Sequence, residues 1–320
     1  MVVHSRLHLV TDGIDVTDLA AAIAEREAIG YRLDTIMPAD DPVHAWMSDG
    51  SGATIELHAP PRGPREASND DSRLVVRRGE EGGTGDGRAG MAYRDLVPGR
   101  FGGKVIASHI SIESGGPTAD YPHHHEIDFQ AIVCVAGWVD VVYEDQGPPF
   151  RMVPGDCVVQ PPTIGHRVLA SSAGLAVLEV ASPSSHPTHR RHDLTLPTGR
   201  VIPDRDFVGQ RFVRHIAADS DWVPMTDAGC EQQSTGIGAA TGGAGDVNFI
   251  RIGRGSAAPL AMTYRASAGV LLVQAGEVSI DVDGRTATLE TDDSVSTSEP
   301  DAAIITGIAE SSEVVLVSVR

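Results

Sequence analysis

Residues 116–137 read GPTADYPHHHEIDFQAIVCVAG, and this stretch decides how the chain folds. Along an extended strand, successive side chains point to opposite faces. His123 and His125 therefore share one face, and His124 points away from them. Gly116 lies seven residues before His123, Gln130 five after His125, and Gly137 seven after Gln130. A second stretch, residues 155–166, reads GDCVVQPPTIGH: a turn at Gly155-Asp156, then Pro161-Pro162, then His166 as a third imidazole. Three convergent neutral imidazoles make a site for a divalent transition metal such as Fe, Mn, Ni, Cu or Zn.

The two stretches, in this order, resemble the paired motifs of the cupin superfamily. Gly116, His123, His125, Gln130 and Gly137 fit the first motif with one spare residue before His123, and Gly155, Asp156, Pro161 and His166 fit the second. The departure is Gln130, which stands where the family carries a glutamate ligand. The resemblance implies an all-β chain whose antiparallel barrel holds one metal inside, with His123, His125, His166 and Gln130 as the ligand set. Three-His cupins that the site resembles include cysteine, gentisate and acetylacetone dioxygenases. A neutral Gln130 leaves the charge of a divalent ion uncompensated, which favours an anionic chelating substrate. The alternative role for Gln130 is to hold a bound water or a ligand histidine by hydrogen bonding.

Composition bounds the function. With 320 residues there is room for two domains with real cores. The net charge of -19 opposes binding to nucleic acid or an anionic membrane. Three cysteines, Cys134, Cys157 and Cys230, are an odd number without CxxC spacing, as expected of a reducing compartment. The start, MVVHSRLHLVTDG, has no apolar core long enough for a signal peptide, and nothing approaches a membrane span. A cytoplasmic protein is expected, with a small-molecule substrate and O2 as partners and a homodimer admissible.

Residues 1–62 read as a small helix-and-strand extension, with Asp15 or Thr17 capping a helix through DLAAAIAEREAI and Gly30 stopping it. Residues 63–90, rich in Gly, Pro and charge, read as a flexible linker. Residues 91–190 hold the strands of the metal-binding barrel, and 191–225 a connector in which His186, His189 and His192 (the first two just ahead of it) are read as solvated. Residues 226–320 repeat the first barrel weakly: Gly255, Met262, Tyr264, Gly269 and Gly276 keep the spacing of Gly116, His123, His125, Gln130 and Gly137. The ligand positions are emptied, so the chain resembles a bicupin, two antiparallel β-barrels of which the second is degenerate.

Candidate catalytic groups are Glu126, in the turn after His125, and His109, in the strand-like run KVIASHISI; a solvated turn residue and a packed histidine are the bland alternatives. Cys134 shares the parity of Gln130 and reads as a small core residue. The expected activity is oxygen-dependent oxidation of a small chelating metabolite at Fe(II), or else Mn, Ni or Cu. A Lewis-acid isomerase, epimerase or lyase at Zn or Ni is the alternative, and a non-catalytic ligand-binding cupin the third option.

Overall fold

Strands dominate the chain because short β-branched and aliphatic runs are cut by Gly, Pro and Asp turns. The computed structural model describes residues 13–39, 41–61, 74–79, 81, 91–226, 229–260, 266–298 and 300–320. The apolar run around Cys134 forms the strand Phe129–Ala136, and Gly137, at φ 69°, turns it into Val139–Tyr143. An added Cβ on Gly137 would lie 2.3 Å from Ser172 Oγ, so only glycine fits this turn.

Two facing sheets form the first barrel. One has Phe129–Ala136 at its middle, flanked by Cys157–Val159 and Leu175–Ser182, with Val213–His215 at one edge and Ile106–Ile112 then Ala92–Asp95 at the other. The opposite sheet contains His123–His125, paired with His166–Ser171 on one side and Thr188–Arg190 on the other. Ile110, Cys134, Val139, Tyr143, Met152, Val158 and Val177 fill the space between the sheets.

The second barrel follows the same plan. Its larger sheet includes Gly245–Gly253, Ser311–Val319, Ala268–Ala275 and Ser294–Thr297; its smaller sheet includes Glu277–Val282 and Ala303–Gly307. Internal duplication extends to individual hydrogen bonds. Ser172 Oγ accepts from Trp138 N after Gly137, and Ser312 Oγ accepts from Glu277 N after Gly276. Asp156 accepts from Val153 N as Asp293 accepts from Glu290 N.

The six-stranded sheet of the first barrel is buried on both faces. Ala107, Phe129, Ala131, Val133, Leu178 and Val180 leave the first barrel's interior and pack against Val247, Phe249, Val270, Leu272, Val315 and Val317 of the second. This is why residues 131–136 read as an unbroken apolar run instead of alternating. Within this junction, a Cβ on Gly245 would meet the Phe129 ring at 2.6 Å.

Three expectations need correction. The helix Leu19–Ala28 is capped by Asp18, which accepts from Ala21 N, and not by Asp15 or Thr17. The linker is in part a strand: Val75–Arg77 pairs with Ser294–Thr297, because two consecutive valines complete that sheet edge, and Arg78 pairs with Asp293 at 2.6 Å. Residues 63–73, 80 and 82–90 of the segment lie outside the described residues. The connector is not wholly apart from the first barrel either, since Val213–His215 extends its sheet and Phe207 is buried in its interior. The extension itself continues the histidine sheet, with Arg32–Met37 pairing Thr188–Arg190.

His109 is also relocated. It shares the parity of Ala107, so its side chain leaves the barrel interior and faces the junction, opposite Arg94 in register. Burial, followed by the Arg94 charge, pushes its imidazole down to about 4 from 6.5. Between those values the unfolded chain binds a proton that the folded chain refuses, so stability falls as pH drops through that window. His109→Gln should remove this part of the acid sensitivity, worth about 3 kcal/mol at most, in urea titrations at pH 7 and pH 4.5. Gly245→Ala should cost roughly 1–3 kcal/mol by overpacking Phe129, read as a lower urea midpoint at pH 7. An unchanged midpoint would mean that the two barrels do not pack as described.

Candidate metal centre

The pleat of His123–His125 sends two imidazoles inward. His124 points out and stacks on His189 at 5.0 Å between ring centroids, and burial there pushes its pKa down to about 3. His166 lies directly across from His123 on the neighbouring antiparallel strand, which brings the third ring to the same face. The buried carboxylate of Asp120 accepts from Val168 N at 2.9 Å and helps set this register. Ring centroids are 4.3 Å apart for His123–His166 and 5.2 Å for both His123–His125 and His125–His166. One ring nitrogen of each lies within 4.8 Å of those of the other two.

Each ring is held on its far side. His123 Nδ1 is 2.8 Å from Tyr121 O, and His166 Nδ1 is 3.0 Å from Ile164 O. A carbonyl only accepts, so both rings carry the proton on Nδ1 and leave the Nε2 lone pair for a metal. His125 Nδ1 meets the Thr188 hydroxyl at 2.9 Å. Three oriented imidazoles with their outer nitrogens tied to oxygen fit a divalent transition metal, which takes neutral imidazole and is tuned by such partners.

Gln130 lines the same cavity, almost wholly buried. Its Nε2 donates to Glu179 Oε1 at 2.5 Å, while its Oε1 is buried without a hydrogen-bond partner. Glu179 belongs to Leu175–Ser182, opposite Ile132 and Ser108, and its side chain shares the interior with Leu175 and Val177. His186 is a further cavity residue, with Nδ1 2.9 Å from Pro183 O and its ring 5.4 Å from that of His125. Tyr143 stacks on His166, accepts from Gln160 Nε2 at 2.8 Å, and has its phenol pKa raised by burial. The cavity measures about 130 Å³; Arg167, Tyr93, Ser108 and Thr188 also line it, and the rest of its wall is Ile, Val, Leu, Met and Ala.

Of the residues singled out in the sequence, His123, His125, Gln130 and His166 come together. Glu126 does not: its side chain is 64% exposed, 3.2 Å from His189 Nε2 on the outer surface, because the turn after the histidine strand points out. His109 faces the junction between the barrels. Cys134 is an interior core residue as expected, its thiol pushed up to about 12 by burial. His186 corrects the reading of its segment as a solvated connector, since Thr188–Arg190 adds a strand beside the metal strand and draws His186 inside. Glu179 was missed although a signal existed: it is the one charged residue in the apolar strand LAVLEVAS.

In the second barrel, Gly269 takes the place of Gln130, and a Cβ there would lie 2.8 Å from Pro300. Met262 and Tyr264 lie outside the described residues. None of the chain's 13 histidines falls in this barrel, the last being His215.

No family model matches the chain, and no curated protein does. Solved structures do. A putative glyoxylate-induced protein from Pseudomonas aeruginosa aligns with TM-score 0.55 at 13% identity, over 78% of this chain and 90% of that one. Oxalate decarboxylase from Bacillus subtilis aligns with TM-score 0.52 at 10% identity, over 76% and 75%. Salicylate 1,2-dioxygenase from Pseudaminobacter salicylatoxidans aligns with TM-score 0.51 at 14% identity, over 68% and 71%. At such identities the likeness concerns the fold. The chain has the cupin fold in duplicate, a bicupin whose first barrel carries the three-histidine site and whose second carries no histidine.

Proposed function

We propose that the chain is a metal-dependent cupin enzyme that oxidises a compact, anionic, chelating metabolite with O2 in its first barrel, with Fe(II) as the working metal. The observation that carries this reading is the donor set: three imidazoles and no carboxylate within the cluster. Bound there, a divalent metal supplies Lewis acidity toward a chelating oxygen ligand and, as iron, one-electron chemistry with dioxygen. Mn, Ni, Cu and Zn suit the same donors.

The chain's own groups define the substrate. A cavity of about 130 Å³ compares with the roughly 150 Å³ void that accepts benzene, so a single ring or a short acid fits. Its apolar walls exclude water, which strengthens each polar contact inside. Glu179 fixes the Gln130 amide so that the carbonyl oxygen, and not the NH2, is left for the cavity. His186 and Tyr143 border the triad and can hydrogen-bond the end of the substrate that does not chelate. Glu179 and Arg167 both line the cavity and offset each other in charge, so the divalent ion is left to be matched by an anion with an adjacent hydroxyl, oxo or phenol oxygen.

The test is oxygen uptake by the Fe(II)-loaded protein against hydroxy acids, oxo acids and hydroxybenzoates. Substrate-dependent uptake with an oxidised product is expected, and it should be lost in His166→Ala. Glu179→Gln should retain the metal content but lose 10–100-fold in turnover, as residues that orient ligands commonly do. Turnover that proceeds equally without oxygen would replace this reading by the Lewis-acid one.

A further inference from the structure

We propose a second, solvent-facing site for a divalent transition metal on the N-terminal extension, formed by His44, Glu56 and His58. The strands His44–Ser48 and Thr54–His58 form a hairpin in which His44 is paired with His58 and Trp46 with Glu56. Glu56 and His58 are two apart, so all three side chains emerge on one face. The other face carries Ala45, Met47 and Leu57, each 0% exposed and packed in one cluster with residues of the helix Leu19–Ala28. The triad is thereby turned away from the helix and toward solvent, with His44 and His58 each 37% exposed and Glu56 16%.

The geometry is that of a donor set. His44 Nδ1 is 3.2 Å and His58 Nε2 3.1 Å from the same oxygen, Glu56 Oε1, and all three ligand atoms lie within 4.8 Å of one another. In a tetrahedral site with metal–ligand distances near 2.0–2.1 Å, donors stand about 3.3 Å apart. Two edges of the triangle already have that length. The imidazoles meet edge to face, with centroids 4.8 Å apart, so their nitrogens converge without the rings stacking. Gly13, in register with Glu56 on the adjoining strand, leaves the space beside His58 Nε2 open: a Cβ there would stand 3.4 Å from that nitrogen.

Two imidazoles and one carboxylate prefer Cu(II), Zn(II) and Ni(II) over Mg or Ca. The ion would take the place of the hydrogen bond between His44 Nδ1 and Glu56 Oε1, with water completing its coordination. His44 opens the first strand and His58 closes the second, so the ion joins the hairpin at the end remote from its turn. Through Arg32–Met37 and Thr188–Arg190 this hairpin belongs to the same sheet as His123–His125, but the site shares no ligand with the barrel centre.

Zn(II) stoichiometry of the full-length chain tests this, alongside fluorescence during Cu(II) titration, because Trp46 stacks on His44 at 5.7 Å and should be quenched. Two equivalents are expected for the unaltered protein and one for His44→Ala/His58→Ala, which should also lose the Trp46 quench. His123→Ala/His166→Ala should keep one equivalent and the quench. If that variant fails to fold, the comparison of the unaltered protein with His44→Ala/His58→Ala decides alone. Equal stoichiometry and equal quenching in those two would overturn the proposal. A single equivalent lost with His44 and His58 would support it and contradict the barrel centre instead.

Discussion

Hydrogen bonds on the far side of each imidazole are the constraint on which the candidate metal centre depends. An unrestrained histidine exchanges tautomers and rotates about two bonds, so three of them converge only if something outside the site holds each ring. Here the holders are backbone carbonyls of Tyr121 and Ile164 and the hydroxyl of Thr188. Two are set by the chain two residues back, and the third arrives on the neighbouring strand that pairs Thr188 with His125. The sheet therefore fixes both where the rings stand and which nitrogen is available.

That dependence explains why the second barrel, and the extension beyond the Ile36 and Ala39 that it lends to the cavity wall, matter to the site. The six-stranded wall opposite the histidine sheet carries Gln130 and Glu179 on its inner face and Phe129, Ala131 and Val180 on its outer face. Without the second barrel this outer face would be an exposed apolar sheet, and the wall would lose its support. The extension, in turn, covers what would be an edge at Thr188–Arg190, the strand that brings Thr188 to His125 and His186 into the cavity. Loss of the histidines from one barrel is thus compatible with retention of its packing surface.

The histidine centre was legible in the sequence because HHH parity and the Gly-Asp to His166 spacing are local signals tied to the pleat. Parity served less well on the opposite sheet. In KVIASHISI both faces are buried, so Val105, Ala107 and His109 look no different from Ile106, Ser108 and Ile110, and nothing local says which set faces the metal. Glu126 failed for another reason: a carboxylate next to a ligand in sequence is one pleat away in space, and here it points to solvent. The strand Val75–Arg77 and the inward turn of His186 depend on partners about 220 and about 60 residues distant, which composition does not encode. Glu179, by contrast, could have been found from a lone charge at an interior position of an apolar strand.

Anomalous diffraction at the iron edge, from crystals grown with Fe(II), would locate the metal. A peak is expected inside the first barrel, bonded by Nε2 of His123, His125 and His166, with none inside the second barrel. No density between those three nitrogens, or a metal held there through Nδ1 or by carboxylates alone, would contradict it.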